Sequence, residues 1–144
     1  MSQMHPVEKK SAYMGRLSYG ADLLEELTRI CKDRSLTCGR VEAIGAVQKA
    51  CIGYYDQTKR EYQFHTLERP LEILKLAGNV SVKDGEPMVH AHITLADGEG
   101  RAFGGHLAPG TVIFACECIV EAFEGPTFNR EFDAETGLPL WPMK

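Results

Sequence analysis

The segment Met88–Leu107, with the sequence MVHAHITLADGEGRAFGGHL, contains three of the five histidines of this 144-residue chain. Successive side chains of a β-strand point to opposite faces of its sheet. The odd-numbered residues 89–95 are all apolar, as a buried face requires, whereas His90 and His92 point together to the other side. The sequence therefore predicts a strand that carries two imidazoles on one face.

A turn and a second strand follow. Asp97–Gly100 is rich in turn-forming residues, so the chain is predicted to fold back as a hairpin through Arg101–Leu107. A loop centred on the two middle residues of the turn places His106 opposite Ala91, on the apolar face. A one-residue bulge at Gly104-Gly105 would move His106 to the face of the other two imidazoles. We therefore predict a bulged hairpin that carries a three-histidine cluster.

Three imidazoles at this spacing predict a divalent metal site formed by His90, His92 and His106. Neutral imidazoles would leave a tetrahedral ion one open position, filled by water, as in catalytic zinc sites. Imidazole also binds copper, nickel and cobalt, and zinc is favoured by its tetrahedral geometry and its availability. The fourth ligand is open: water, a carboxylate or a group from a neighbouring subunit.

Two acidic residues are candidates for a supporting role at this site. Glu42 and Glu117 each interrupt an otherwise apolar strand. A carboxylate near the metal would orient a ligand imidazole or act as a base on the bound water. The alternative is that each faces solvent or forms an ion pair with a basic residue.

Composition and charge limit the classes of function. The formal charge of −4 argues against general affinity for nucleic acid, because such binding needs a basic surface. The amino terminus has no apolar leader and no segment approaches the roughly 18 apolar residues of a membrane span, so we expect no membrane partner. Five cysteines without a CxxC pair suit a reducing compartment. These features predict a cytoplasmic protein.

The hydropathy pattern predicts a flexible tail over residues 1–10 and one domain over residues 11–144. Residues 21–34 form the clearest helix, because their apolar positions follow a single stripe and their charges suit the helix dipole. Short strands separated by tight turns fill most of the remaining chain. The predicted fold class is α+β, with a mainly antiparallel sheet and one long helix.

Several ordered motifs resemble those of the plants-and-prokaryotes-conserved (PPC) domain family, in its stand-alone prokaryotic form. They are Arg16–Leu27, Val41–Val47, Pro70–Gly78, His90-Ala91-His92, Phe103–Leu107 and Glu131–Leu140. The resemblance implies an antiparallel sheet with short flanking helices that assembles as a homotrimer. It also implies that the histidines of the HxH and GGH motifs form a metal site.

Plant members of the family join this domain to separate AT-hook segments that bind DNA through an Arg-Gly-Arg-Pro core. In this chain Gly15-Arg16 and Gly39-Arg40 are followed by leucine and valine, so neither forms an AT-hook. Three functions are therefore open. They are a metal-binding trimer that recognises a small molecule or a protein, a zinc-dependent hydrolase, and a DNA-binding or transcription-associated regulator.

Overall fold

The computed structural model describes residues 1–143. Its elements, in chain order, are β1 (Glu8–Leu17), α1 (Leu23–Asp33), β2 (Gly39–Asp56), β3 (Glu61–Leu67), β4 (Leu71–Lys83), β5 (Glu86–Ala96), β6 (Ala102–Leu107), β7 (Val112–Glu124), β8 (Glu131–Phe132) and β9 (Pro139–Leu140). The first strand begins at Glu8, inside the segment predicted as a tail. The antiparallel sheet with one long helix is as the sequence predicts.

One curled sheet contains the first seven strands. Its order is β1-β7-β2-β4-β5-β6, and β3 pairs with the far half of β2. The other edge of β6 pairs with Ile52 and Gly53 of β2, so the sheet curls until β6 returns to that strand. β2 is a single strand of 18 residues with a register shift at Gly45, where a Cβ would lie 2.1 Å from the carbonyl oxygen of Ala115. This long bent strand holds the two halves of the sheet together.

The helix covers one face of this sheet. Its first turn is capped by Asp22, whose side chain accepts a hydrogen bond from the Glu25 amide at 3.0 Å. Leu23, Leu27 and Cys31 are fully buried, and the helix packs against β5. The apolar stripe predicted from the sequence is therefore the stripe that faces the core. Burying an aliphatic side chain of this kind contributes about 1.5–3 kcal/mol.

The predicted short flanking helices are wrong. Within residues 1–143, α1 is the only α-helix. The connections between successive strands are tight, such as Asp84-Gly85 between β4 and β5, and such turns leave no room for a helical turn. The segment after β7 forms the small β8–β9 hairpin instead. No helix in the described chain is long and apolar enough to span a bilayer.

The opposite face of the sheet, which we call the open face, carries no helix. One transverse row of neighbouring strand residues crosses it: Met14, Ile119, Glu42, Ala77, His92 and His106. The next row carries Arg16, Glu117 and Ile44. Because residues in one row of a sheet point to the same side, the histidines share the open face with exposed apolar side chains.

Gly78 provides a test of how closely β4 and β5 approach each other. It lies opposite Ala91, and an added Cβ would be 2.3 Å from the His90 carbonyl oxygen and 2.7 Å from the Ala91 Cβ. We expect Gly78→Ala to lower the free energy of unfolding by about 3 kcal/mol, because backbone atoms have to move apart. Urea denaturation at a fixed protein concentration measures this loss.

Gly98→Ala is the matched control. Gly98 lies in the hairpin loop, and an added Cβ there has no neighbouring atom within 4 Å. Its free energy of unfolding should stay within about 0.5 kcal/mol of the unsubstituted protein. Equal losses in the two variants would contradict the packing argument.

Candidate metal centre

The three histidines meet because of the register between β5 and β6. His92 lies directly opposite His106, and the pairing runs without a shift from there to Ala96 and Ala102. The predicted bulge at Gly104-Gly105 is therefore wrong. The hairpin loop has five residues, Asp97–Arg101, one more than the predicted turn, and this extra residue places His106 on the histidine face.

Hydrogen bonds to Asp97 hold this loop. Its Oδ1 accepts from the amides of Glu99 at 2.9 Å and of Arg101 at 3.0 Å. Its Oδ2 accepts from the Arg101 Nε at 2.8 Å, and Gly100 has the positive φ of 80° that closes the turn. The loop length, and with it the register of the histidines, is thus fixed by local contacts.

Gly104 and Gly105 allow the backbone of β6 to lie close to the backbones of its neighbouring strands. A Cβ on Gly105 would lie 2.7 Å from the carbonyl oxygen of Gly53, and one on Gly104 would lie 2.9 Å from that of Ile93. Gly53 pairs with His106 on one side and with Phe64 on the other. Because Gly53 has no side chain, the aromatic rings of Tyr62 and Phe64 on β3 can pack over it, and the Tyr62 ring lies beside His106.

The cluster itself is compact. Ring centroids are 5.1 Å apart for His90 and His92, 5.1 Å for His90 and His106, and 5.8 Å for His92 and His106. One nitrogen from each ring lies within 4.8 Å of the other two. Zinc–nitrogen bonds of about 2.0–2.1 Å bring ligand nitrogens about 3.4 Å apart in a tetrahedral site. Small side-chain rotations would therefore suffice to place all three nitrogens on one ion.

Tyr62 and Arg130 are neighbours of the cluster. The Tyr62 ring packs against His106 with centroids 4.7 Å apart. Burial, and then the positive charge of Arg130, lower the pKa of His90 to about 4. Burial also lowers the pKa of His106 below its usual range. These two imidazoles are therefore neutral at pH 7, with lone pairs available for a metal.

The residues present fit a divalent metal. The Nδ1 atom of His106 is buried and has no hydrogen-bond partner among the described residues. A buried polar atom without a partner is costly, and coordination to an ion would remove that cost. A metal held here would bind through His90, His92 and His106 and would polarise a group at its open position.

The two candidate acidic residues lie elsewhere on the open face. Glu42 shares the row of His92 but is separated from it by Ala77, which is about 9–10 Å between Cα atoms at two strand spacings. Its Oε1 accepts hydrogen bonds from Lys75 and Arg40, each at 3.2 Å. Glu117 is one strand farther away, opposite Ile44. Neither belongs to the group of ligand atoms formed by the histidines.

Sequence reasoning missed Tyr62 and Arg130. Tyr62 and Phe64 are two residues apart and so share a face of β3, but this pattern does not indicate that the face meets β6. Arg130 directly precedes the motif Glu131–Leu140 but has no spacing that ties it to β4 or β5. Both are brought to the site by long-range pairing, which local periodicity does not predict.

Comparisons with known proteins agree with this fold. A metal-containing protein of Archaeoglobus fulgidus is 41% identical, superposes with a TM-score of 0.93, and the match covers 99% of this chain and 100% of the other. A plant- and prokaryote-conserved (PPC) protein of Pyrococcus horikoshii is 33% identical with a TM-score of 0.91, and the match covers 100% and 98% of the two chains. Both are similar to this protein over its whole length.

A curated relative is longer. The protein named Bifunctional protein GlmU in Synechococcus sp. strain JA-2-3B'a(2-13) is 36% identical over 97% of this chain. The chain spans 23% of the length of that relative, so the similarity concerns one segment of it.

The family model of the Plants and Prokaryotes Conserved domain (PCC, or PPC) matches residues 4–124. That range includes seven strands, the helix and all three clustered histidines. The chain belongs to the Plants and Prokaryotes Conserved domain family.

Proposed function

We propose that this protein binds a divalent metal ion, zinc in the first instance, through His90, His92 and His106. The observation that carries the proposal is the convergence of three ring nitrogens within 4.8 Å, one imidazole having a buried nitrogen without a partner. The metal-containing relative from Archaeoglobus fulgidus, at 41% identity, supports it. Zinc is favoured over copper, nickel and cobalt by tetrahedral geometry and availability.

The open position would serve recognition of a ligand. Hydrolysis by a metal-bound water usually needs a nearby base, and within residues 1–143 no carboxylate joins the histidine group. Glu42, a candidate base, forms ion pairs with Arg40 and Lys75. We therefore favour a small-molecule or protein-binding role over the zinc-dependent hydrolase, which is the weaker alternative.

We further propose that the protein is a homotrimer that associates through the open face. Met14, Ile44 and Ile119 are 83%, 54% and 39% exposed in the single chain, which is unusual for neighbouring apolar residues of a sheet. They line a groove of about 550 Å³ together with Arg16, Lys75, Glu42 and Glu117. Apolar surface edged by both signs of charge is typical of subunit interfaces.

The reducing cytoplasm is the proposed location. All five cysteines have free thiols, and four of them are buried. Burial raises the pKa of Cys31 to about 11 and that of Cys116 to about 12, so these thiols are inert and act as small apolar side chains.

Metal content tests the central proposal. Purified without a histidine tag and supplied with zinc, the unsubstituted protein should hold roughly one ion per chain, and His92→Ala should hold less than about a tenth of that because a ligand is lost. Mass spectrometry of metals measures both. His65→Ala, on an exposed position of β3, is the matched control and should keep its metal. Metal-free protein in every case would contradict the proposal.

The oligomer is tested by substituting the open face. Ile44→Glu should convert a species of about 48 kDa, three times the 16.0 kDa chain, into monomers, because a buried unpaired carboxylate disfavours association. Light scattering coupled to size exclusion measures the mass. Thr37→Glu, which adds the same charge to an exposed site in the loop after α1, should remain trimeric. A monomeric unsubstituted protein would refute the homotrimer.

The DNA-binding alternative has a direct test. Because the net charge is −4 and no AT-hook is present, we expect no salt-dependent shift of an AT-rich duplex in a gel. The assay is run across several salt concentrations, with and without zinc. Binding that weakens steeply as salt rises would favour the regulator over the proposed role.

A further inference from the structure

The guanidinium of Arg130 is fixed beside the histidine cluster. The segment that carries it is attached to β4 by two backbone hydrogen bonds at Val82, of 2.9 and 2.8 Å. The Arg130 side chain then donates to Ser81 Oγ at 2.9 Å and to Asn79 Oδ1 at 3.0 Å. Asn79 is the cross-strand partner of His90, so the charge of Arg130 stands one side chain away from that imidazole.

This cation has neutral partners. Besides Ser81 and Asn79, it donates to the Pro139 carbonyl at 3.1 Å and stacks on the Trp141 ring at 5.3 Å. In the described part of the chain, no carboxylate forms an ion pair with it. A half-buried guanidinium without an anion is unfavourable. It has five N–H groups, and three hydrogen bonds leave two for another acceptor.

A metal bound by the histidines would, like the guanidinium of Arg130, carry positive charge without an anion beside it. Three neutral imidazoles leave a divalent ion uncompensated, and Arg130 adds another charge. The acidic residue in the row of His92, Glu42, is held by Arg40 and Lys75. The site therefore combines an open metal position, a fixed guanidinium and no carboxylate of its own among the described residues.

We propose that this centre recognises a small oxyanion, a carboxylate or phosphate group, that occupies the open metal position and accepts hydrogen bonds from Arg130. The planar fork of N–H donors on a guanidinium matches two oxygens of a carboxylate or a phosphate. Carboxylate and phosphate oxygens are also good ligands for a hard or borderline metal ion. This inference rests on the metal-binding function proposed above, and it specifies the class of ligand. Arg130 is the selectivity residue in this assignment.

The experiment uses the 144-residue chain loaded with Co²⁺, whose visible spectrum responds to its ligands. Metal content per chain is measured first, and inorganic phosphate, acetate and sodium chloride are then titrated at equal ionic strength. Trp141, the single tryptophan, stacks on Arg130 and gives a second reading by fluorescence. We expect phosphate or acetate to change both signals while chloride does not. The oxyanion that binds more tightly shows whether the recognised group is a phosphate or a carboxylate.

Substitution of Arg130 tests its part. Arg130→Met should keep the metal and weaken oxyanion binding by about ten-fold or more, since charge-assisted hydrogen bonds are lost. Arg130→Lys keeps the charge and should bind with intermediate affinity. Arg60→Met is the matched control: Arg60 donates to the carbonyl of Ala134, also in the C-terminal segment, and its loss should leave anion binding unchanged.

The outcomes separate the two proposals. If the unsubstituted protein takes up no metal, the metal-binding function fails and the oxyanion assignment fails with it. If it holds one metal per chain but neither oxyanion changes the spectrum, the metal site stands and the oxyanion assignment is wrong. That result would also be expected if a carboxylate of a neighbouring subunit filled the position. Equal affinity in metal-loaded Arg130→Met overturns the role of Arg130.

Discussion

The pairing of His92 with His106 across β5 and β6 is the constraint on which the candidate site depends. In a strand pair, a shift of one residue moves every side chain of the shifted strand to the other face. Here such a shift would bury His106 among apolar residues and leave two imidazoles where three now meet. The five-residue loop Asp97–Arg101, held by hydrogen bonds to the Asp97 carboxylate, fixes the pairing.

The core supports the same register from the opposite side of the sheet. Val89, Ala91, Ile93 and Leu95 are at most 4% exposed. They lie on the face of β5 that α1 covers. Rotating β5 to hide the histidines would expose these four residues to water. At about 25 cal/mol per Å² of apolar area, that loss would far exceed the cost of keeping imidazoles at the surface. Stability of the fold thus maintains the geometry of the site.

The sequence predicted what depends on local pattern. Alternation in residues 89–95 correctly separated the buried face from the histidine face, and the apolar stripe placed the helix to within two residues of its ends. It did not predict the loop length, because Asp97–Gly100 is a good turn signal whether or not Arg101 joins it. The bulge at Gly104-Gly105 was inferred to bring His106 to the histidine face, but the additional loop residue, Arg101, does this instead. A glycine pair can form a bulge or can allow neighbouring backbones to approach closely, and the sequence alone does not distinguish these two roles.

Long-range placement was the other limit. Nothing local connects Arg130 with Ser81 and Asn79, which are about fifty residues earlier in the chain. Tyr62 reaches His106 only because β2 pairs with β3 and, at Gly53, also with β6. For Glu42 and Glu117 the sequence indicated acidic residues within apolar strands, and both are on the open face. Their distance from the histidines follows from the order of the strands in the sheet, and this order cannot be predicted from a single sequence.

Strand order also joins the two proposed properties of the protein. The row that begins with Met14 and Ile119 ends at His92 and His106, so apolar surface and histidine cluster belong to one side of one sheet. A second chain that covers the apolar part would exclude water beside the cluster. Exclusion of water strengthens the interaction of a metal and a guanidinium with an anion, because the effective dielectric falls. Association through the open face and ligand binding at the histidines are therefore expected to favour each other, each raising the affinity of the other.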